Sequence, residues 1–290
     1  TVWTWSESAG NYLYWNSTNT EGSNGYGTLS GGMIPPVQGF FVLANSKDPA
    51  ITIPDRAKAH GDQVFYKTRD FAANSLKITA TGNEYRDAAF LTFSDSATAG
   101  FDWNFDTPKM FGYANAPQIY VITGDKPLSI NAQPQKNKLM SFPVGFECAE
   151  NGTYSFEFTG FETFDNHVPV FLEDMNTGEI INVVANPCYS FTHAAENDAM
   201  RFIIHFGNVA DIDEQINNGL MVYTFRGKIH LTSTADISTM IIADLQGRIC
   251  SEITFTGKGK HSFTPSLNHG IYILKCTDSN GKFKTMKVTL

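Results

Sequence analysis

Residues 154–160 read YSFEFTG, and apolar and polar side chains alternate along this stretch. Successive side chains of a β-strand point to opposite faces of a sheet, so the alternation predicts a strand with one buried face. The same pattern, or an apolar run that suits a strand buried on both faces, recurs at FLTFSD 90–95, RFIIHF 201–206 and KIHLTS 228–233. No segment longer than about ten residues carries the apolar period of a helix.

Turn signals separate these stretches at short intervals. They are Gly31-Gly32, Asn151-Gly152, Asn176-Thr177-Gly178 and Asn280-Gly281. Regular turns between short alternating segments are typical of β-sandwiches and barrels. We therefore predict an all-β protein with two or three β-sandwich domains, of which the last is small and immunoglobulin-like.

Composition limits the classes of partner. The 290 residues can bury two or three cores, and 24 glycines suit a chain with many tight turns. A formal net charge of -8 repels nucleic acid, and no basic cluster offsets it. No apolar run approaches the roughly 18 residues that a membrane-spanning helix needs. The first residues, TVWTWSESAG, resemble no export signal, so we expect the chain to be the C-terminal region of a longer precursor.

The four cysteines are far apart in the sequence, at Cys148, Cys188, Cys250 and Cys276. They lack the CxxC spacing of thiolate metal sites and redox motifs, so they do not indicate zinc. Two disulfides with three alternative pairings, or buried free thiols, are both compatible with the sequence.

One polar, acidic segment, GNVADIDEQINNG at 207–219, separates an aromatic-rich region from a fresh series of strands. We interpret it as a linker, since Asp211, Asp213 and Asn217 lack the spacing of a calcium loop. A softer boundary falls at 54–62. The predicted organisation is an aromatic-rich β segment at 1–60, a β-sandwich at 61–208, a linker at 209–219 and a C-terminal domain at 220–290. The segment at 1–60 is either part of the first sandwich or the end of an upstream domain.

Aromatic residues crowd the first fifteen positions, VWTWSESAGNYLYW. Exposed rings stack on sugars, so a glycan contact is one interpretation, whereas a hairpin that fills a core with its aromatics is the interpretation we favour. The candidate glycan contacts are Trp3, Trp5, Tyr14 and Trp15.

The last seventy residues form an ordered set of signals. Gly227 permits a tight turn, Asp244 to Gly247 has the acid-first, glycine-last composition of a β-turn, and Leu290 is expected to be a core residue. Alternation places Tyr272, Leu274 and Cys276 on one face of a strand, and Met286, Val288 and Leu290 on one face of the last.

This order resembles the type A C-terminal sorting domain of proteins exported by the type IX secretion system of Bacteroidetes. The resemblance lies in GKIHL at 227–231, DLQGR at 244–248, GIYILK at 270–275 and the closing KV at 287–288. It implies a small sandwich that the export machinery binds through residues 220–290. The motif positions are Gly227, Asp244, Gly247, Arg248, Gly270, Tyr272, Lys275, Lys287 and Val288.

A second resemblance covers residues 30–208. Segments such as IPPVQGFFVLA at 34–44, GFDWNFDTPKMFG at 100–112 and RFIIHFG at 201–207 are similar to an uncharacterised β-rich region that precedes sorting domains in Bacteroidetes surface proteins. It implies a location and a fold, and no chemistry.

No catalytic motif is present: the sequence lacks HExxH, GxSxG, a P-loop and GxGxxG after a strand. The seven histidines are scattered, and we expect one beside a strand, such as His205, to be packed or solvated. Glu173 and Asp174 are neighbours on a strand and would face opposite sides. Asp102 and Asp106 suit loop ordering, with or without calcium, better than catalysis.

We therefore expect a protein with no catalytic residues, no cofactor and no resident metal. The favoured function is the non-catalytic C-terminal region of a secreted or outer-membrane surface protein, exported through the periplasm. The alternatives are a glycan-binding or adhesive module, with a polysaccharide or host surface as its partner, and an accessory part of a secreted hydrolase.

Overall fold

The computed structural model describes residues 1–16, 26–29, 32–34, 38–44, 47–53, 57, 73–134, 140–164, 168–207, 220–225, 228–233, 236–279, 281 and 283–289. Strands supply nearly all of the regular structure in these ranges, which confirms the all-β class. In the same ranges, no helix is both long enough and apolar enough to cross a membrane.

The first residues form a small antiparallel sheet with the order β3-β2-β1-β4. Its strands are β1 (Val2–Ser6), β2 (Asn11–Asn16), β3 (Tyr26–Gly27) and β4 (Phe41–Val42). The turn between β1 and β2 ends at Gly10, whose φ of +61° suits glycine. A Cβ at this position would lie 2.6 Å from the ring of Tyr85, so the turn also needs glycine for its close approach to the next sheet.

A larger sheet follows, with the order β13-β12-β15-β10-β8-β9-β6-β5-β11-β14, and β7 pairs with β9 beside this path. Its strands are β5 (Ser75–Gly82), β6 (Tyr85–Phe93), β7 (Thr107–Pro108), β8 (Gln118–Thr123), β9 (Lys126–Gln133), β10 (Met140–Glu147), β11 (Gly152–Thr159), β12 (Val170–Asp174), β13 (Glu179–Asn182), β14 (Cys188–His193) and β15 (Met200–Phe206), with a short 3-10 helix at Phe161–Thr163. β6 and β9 are parallel, and the other neighbours are antiparallel.

The large sheet curls so that its two ends share one core. β14 is the last strand at one end and β15 lies near the other, yet the rings of Phe191 and Phe202 pack at 4.8 Å between centroids. Phe156 contacts both rings, also at 4.8 Å. Apolar residues from β5, β6, β8, β10, β11 and β12 join the same cluster. The apolar side chains that alternate along YSFEFTG therefore belong to a closed, sandwich-like core.

The β1–β2 hairpin packs on the outer face of this sheet. Trp3 and Tyr14 form a buried cluster with Ala88, Phe90 and Ile130 of β6 and β9. The hydroxyl of Tyr14 donates to the carbonyl oxygen of Ala88 at 2.7 Å. The hairpin is thus fixed to the large sheet by both apolar contact and a buried hydrogen bond.

The tail forms two facing sheets, β16-β17-β20 and β19-β18-β21-β22. Their strands are β16 (Leu220–Phe225), β17 (Lys228–Ser233), β18 (Ile237–Ala243), β19 (Ile249–Thr254), β20 (Gly259–Phe263), β21 (Ile271–Asp278) and β22 (Phe283–Thr289). Both sheets contribute to one buried cluster, which includes Leu231 from the first and Met240, Leu274 and Val288 from the second. The tail is a small sandwich with its own core.

Two expectations are settled by these positions. Trp3 and Tyr14 are 3% and 1% exposed, so the glycan interpretation is wrong for them: the outer face of the large sheet covers their rings. The four cysteines, all in the described ranges, form no disulfide; Cys148 and Cys276 are buried, and Cys188 and Cys250 are exposed.

The division into domains stays a prediction. The linker at 209–219, with its candidate calcium residues, lies outside the described residues, as does the boundary at 54–62 apart from Ala57. Gly227 and Leu290 also lie outside them.

Trp3→Ala should lower the free energy of unfolding by roughly 3–5 kcal/mol, because it leaves a cavity between the hairpin and the large sheet. Trp103→Ala is the matched control: this ring is 49% exposed, and its removal should change stability by less than about 0.5 kcal/mol. Urea unfolding of both variants makes the measurement. Equal losses would contradict the packing of the hairpin.

Candidate functional site

An aromatic cluster with a carboxylate lies at the turn end of the β1–β2 hairpin. Trp5 packs edge-to-face against Tyr12 at 5.1 Å and against Tyr113 at 4.7 Å between ring centroids. Tyr12 in turn contacts Phe41 of β4 at 5.6 Å. We call Trp5, Glu7, Tyr12, Phe41 and Tyr113 the aromatic–carboxylate cluster. Three separate parts of the chain supply its members.

The carboxylate of this cluster is held in a fixed orientation. The indole N–H of Trp5 donates to Glu7 Oε2 at 2.9 Å, and the hydroxyl of Tyr113 lies 3.1 Å from both Glu7 oxygens. The hydrogen bond to Glu7 raises the pKa of Tyr113, so its hydroxyl remains a donor. Glu7 is exposed and keeps further acceptor positions open to a ligand.

The chemistry of this surface suits a polyol. Phe41 and Tyr113 are 51% and 43% exposed, so their rings offer apolar area for the C–H groups of a ligand. The oriented carboxylate of Glu7 lies beside Tyr113 and can accept hydrogen bonds from the hydroxyl groups of a ligand. An aromatic surface next to a fixed acceptor is a combination that binds sugars by stacking and by hydrogen bonds.

Of the four predicted glycan contacts, only Trp5 belongs to this cluster. Trp15 is half-buried, and Gly32 lies against its ring. The cross-strand pairs Trp3↔Tyr14 and Trp5↔Tyr12 occupy the same face of the hairpin, but only the first pair lies fully under the large sheet. Sequence reasoning missed the contribution of Tyr113, for which the sequence carries no local signal.

The acid pair on β12 does not converge. Glu173 Oε2 lies 2.9 Å from His205 Nε2, whereas Asp174 accepts hydrogen bonds from Arg201 and Tyr189. Burial alone would raise the pKa of Asp174, but the bonds from Arg201, Asn176 and Tyr189 together with the Arg201 charge outweigh it, and the pKa is lowered. The two neighbouring carboxylates therefore serve separate structural contacts.

His205 lies in a hydrogen-bonded chain that crosses three strands. Ser141 Oγ is 2.7 Å from His205 Nδ1, and His205 Nε2 reaches Glu173. Ser141 and His205 are direct partners in the β10–β15 ladder, and Phe171 of β12 is the partner of His205 on the other side. The chain ties neighbouring strands together. Sequence reasoning missed it, because it depends on strand register.

The second acid pair orders a loop. Asp106 accepts backbone N–H bonds from Asp102 at 2.7 Å and from Ala132 at 2.8 Å. Burial raises the pKa of Asp106 to about 6. Asp102 accepts from the N–H of Asn104 at 2.9 Å. Among the residues that the structure describes, no group of three potential metal-ligating side chains converges here or elsewhere.

In the tail, part of the predicted motif builds the fold. Asp244 accepts N–H bonds from Gln246 and Arg248, and Gly247 has a φ of +81°. These contacts form the turn between β18 and β19. Val288 is buried in the tail core and pairs with Tyr272, whose hydroxyl donates to the carbonyl oxygen of Asn268. Gly270 precedes β21 and is half-buried.

The basic motif positions are exposed. The side chain of Arg248 is 79% exposed, although its Nε donates to Asp244 at 2.6 Å. Lys275 and Lys287 are exposed on the adjacent strands β21 and β22. Exposed apolar side chains accompany them at this sheet: Leu245, Ile249, Ile271 and Phe283. The sheet β19-β18-β21-β22 therefore presents a basic and apolar outer surface.

The model of a family described as a domain of unknown function, DUF8693, matches residues 3–206. The chain belongs to this family. The match includes the β1–β2 hairpin and the large sheet, and it ends at the last residue of β15. The tail lies outside the matched residues.

Two further proteins are similar to this chain. The minor fimbrium subunit Mfa5 of Porphyromonas gingivalis is 24% identical over 203 residues, which are 69% of this chain and 16% of that protein. The chain thus spans only a small part of the length of this relative. A solved polysaccharide lyase is 7% identical and covers 75% of this chain, with 39% of the lyase matched, at a TM-score of 0.23.

Arg201→Met should lower the free energy of unfolding at neutral pH by roughly 3–5 kcal/mol, since it leaves the buried Asp174 charge unpaired. The folded pKa of Asp174 is depressed in the parent chain, so the stability from the pair is present above the ordinary carboxyl pKa of about 4 and is lost as pH falls through the folded value. In the variant, burial still raises the pKa of Asp174, and only the hydrogen bonds from Asn176 and Tyr189 oppose it. Lowering the pH should therefore reduce the loss of stability relative to the parent chain. Urea unfolding from pH 7 to pH 3 measures this.

Arg248→Met is the matched control, because Arg248 pairs with Asp244 at the surface, where solvent screens the pair, and its loss should change the free energy of unfolding far less. If the free energy of unfolding lost in Arg201→Met stays constant across the pH range, the Arg201–Asp174 ion pair does not stabilise the sheet.

Proposed function

We propose that the chain is a non-catalytic surface module followed by an export domain. Residues 3–206 form the module, and residues 220–290 bind the type IX secretion machinery, so that the protein is secreted or held at the outer-membrane surface after passage through the periplasm. Activity of the complete protein, where it has one, belongs to other regions of it.

This proposal rests on the positions of the motif residues in the tail, because some of them build the fold and others face solvent. Asp244, Gly247 and Val288 build the small sandwich, whereas Arg248, Lys275 and Lys287 leave its surface open to a partner. The similarity to a minor fimbrium subunit of a Bacteroidetes species supports a surface location for the family.

The export test uses a bacterium with a type IX secretion system and the chain behind a periplasmic signal peptide. Deleting residues 221–290 should leave the remaining protein in the periplasm, while the intact chain reaches the surface or medium. Lys275→Ala/Lys287→Ala should likewise reduce export, because it removes charge from the exposed sheet without touching the core.

The matched control is Lys258→Ala, which removes an exposed lysine of the same tail outside the motif stretches. It should export as well as the parent chain. Immunoblots of medium, surface and periplasmic fractions give the distribution. Normal external levels of the deletion variant would refute the export proposal.

A second candidate function is glycan binding by the module, favoured by the orientation of Glu7 between Trp5 and Tyr113. The ligand would be a neutral or weakly charged glycan, because the net charge of -8 and the exposed Glu7 disfavour polyanions. The hydrolase accessory role is the weaker alternative, since a glycan contact alone does not imply a catalytic partner.

Glu7→Gln and Tyr113→Ala should each weaken retention on a neutral polysaccharide at least about tenfold, with little change in melting temperature. Both side chains are exposed, so we expect their replacement to leave the fold in place. Trp103→Ala, an exposed aromatic outside the cluster, should bind normally. Affinity electrophoresis against a polysaccharide panel tests this, and parental binding by Tyr113→Ala would contradict it.

A further inference from the structure

A buried pair of opposite charges lies between the strands of the large sheet and takes no part in either candidate site. Lys109 follows β7, and its Nζ is 2.5 Å from Oδ2 of Asp87 on β6. The two side chains are 1% and 2% exposed. An amine and a carboxyl group are thus held in contact and out of water.

The carboxyl group is arranged as an electrophile. The backbone N–H of Ile119 donates to Asp87 Oδ2 at 2.7 Å, which polarises the carboxyl and would stabilise negative charge that develops on this oxygen. Burial raises the pKa of Asp87, which favours its neutral acid form. A neutral acid and a neutral amine form when one proton moves along the hydrogen bond from the ammonium to the carboxylate.

The amine has little freedom to leave. The backbone N–H of Lys109 donates to the carbonyl oxygen of Pro127 at 2.9 Å, which fixes the base of the side chain beside β9. Its Nζ also lies 6.0 Å from the ring centroid of Phe111. Two groups held in contact react with a high effective concentration, because the entropy of bringing them together is already lost.

We propose that Lys109 and Asp87 form an intramolecular amide bond. Lys109 Nζ attacks Asp87 Cγ, a C–N bond forms, and the Cγ–Oδ1 bond breaks. Oδ1 leaves as water with two protons from the ammonium nitrogen: one is the proton first passed to Oδ2 and then handed to Oδ1, and the other is lost from the nitrogen as the C–N bond forms. Oδ2 stays as the amide oxygen on the N–H of Ile119. Ammonium plus carboxylate gives amide plus water, so the reaction needs no oxidant, reductant or co-reactant.

The bond would join β6 to the segment after β7 and close a covalent loop over residues 87–109. It would also remove two charges from the interior of the sheet, where an ion pair contributes little net stability. The covalent loop contains Trp103 and the backbone contacts of Asp106, so the cross-link would fix this side of the module against unfolding under load.

Intact-mass spectrometry of the purified full chain in denaturant tests the proposal, because denaturant breaks an ion pair and leaves an amide in place. The parent chain should be lighter than its sequence mass by one water molecule, and a protease digest should contain one branched peptide that joins Lys109 to Asp87. Lys109→Arg keeps the charge and should have its full sequence mass.

A parent chain at its full sequence mass would overturn the proposal and leave the pair as an ion pair only. Loss of water that persists in Lys109→Arg would overturn it as well, since the dehydration would then lie elsewhere in the chain. The branched peptide shows whether the water was lost at the Lys109–Asp87 pair or elsewhere, even if the arginine variant fails to fold.

Discussion

The contact between Phe191 and Phe202 closes the large sheet on itself, and the other features of the module depend on that closure. The two rings belong to strands near opposite ends of the sheet order, so their packing at 4.8 Å forces the sheet to curl. The guanidinium of Arg201 lies over both rings, and its Nη1 donates to the carbonyl oxygen of Thr192 across the same seam. Apolar packing closes the sheet, and polar contacts fix its register there.

Closure determines which residues are left for function. A closed sheet buries its inner face completely, so the aromatic hairpin must pack on the outer face, where Trp3 and Tyr14 are covered and Trp5 is not. The surface cluster arises at the edge of that contact, where Tyr113 meets the hairpin. The proposed binding surface therefore lies where the large sheet no longer covers the hairpin.

The strands were largely predictable, because alternation in YSFEFTG and the apolar run of RFIIHF reflect burial within single strands. The turn at Gly247 was predictable for the same local reason. The parallel pairing of β6 with β9 was not, since it depends on packing between distant segments. The same limit applied to the sites. Nothing in the sequence distinguished Trp3 from Trp5, and only the position of the large sheet shows that Trp3 is buried and Trp5 is half-buried.

The central claim is that the module and the tail are separate folding units. Each has its own core, with one buried cysteine apiece: Cys148 in the large core and Cys276 in the small one. A smaller core buries less apolar area and should unfold first. The remaining cysteines, Cys188 and Cys250, are exposed and react at once, so they serve as internal standards.

Pulsed alkylation across a urea series, read by peptide mass spectrometry, tests this claim most directly. The account predicts two midpoints, with Cys276 becoming reactive at a lower urea concentration than Cys148. A single midpoint at which both buried thiols become reactive together would contradict it and would make the tail an integral part of the module.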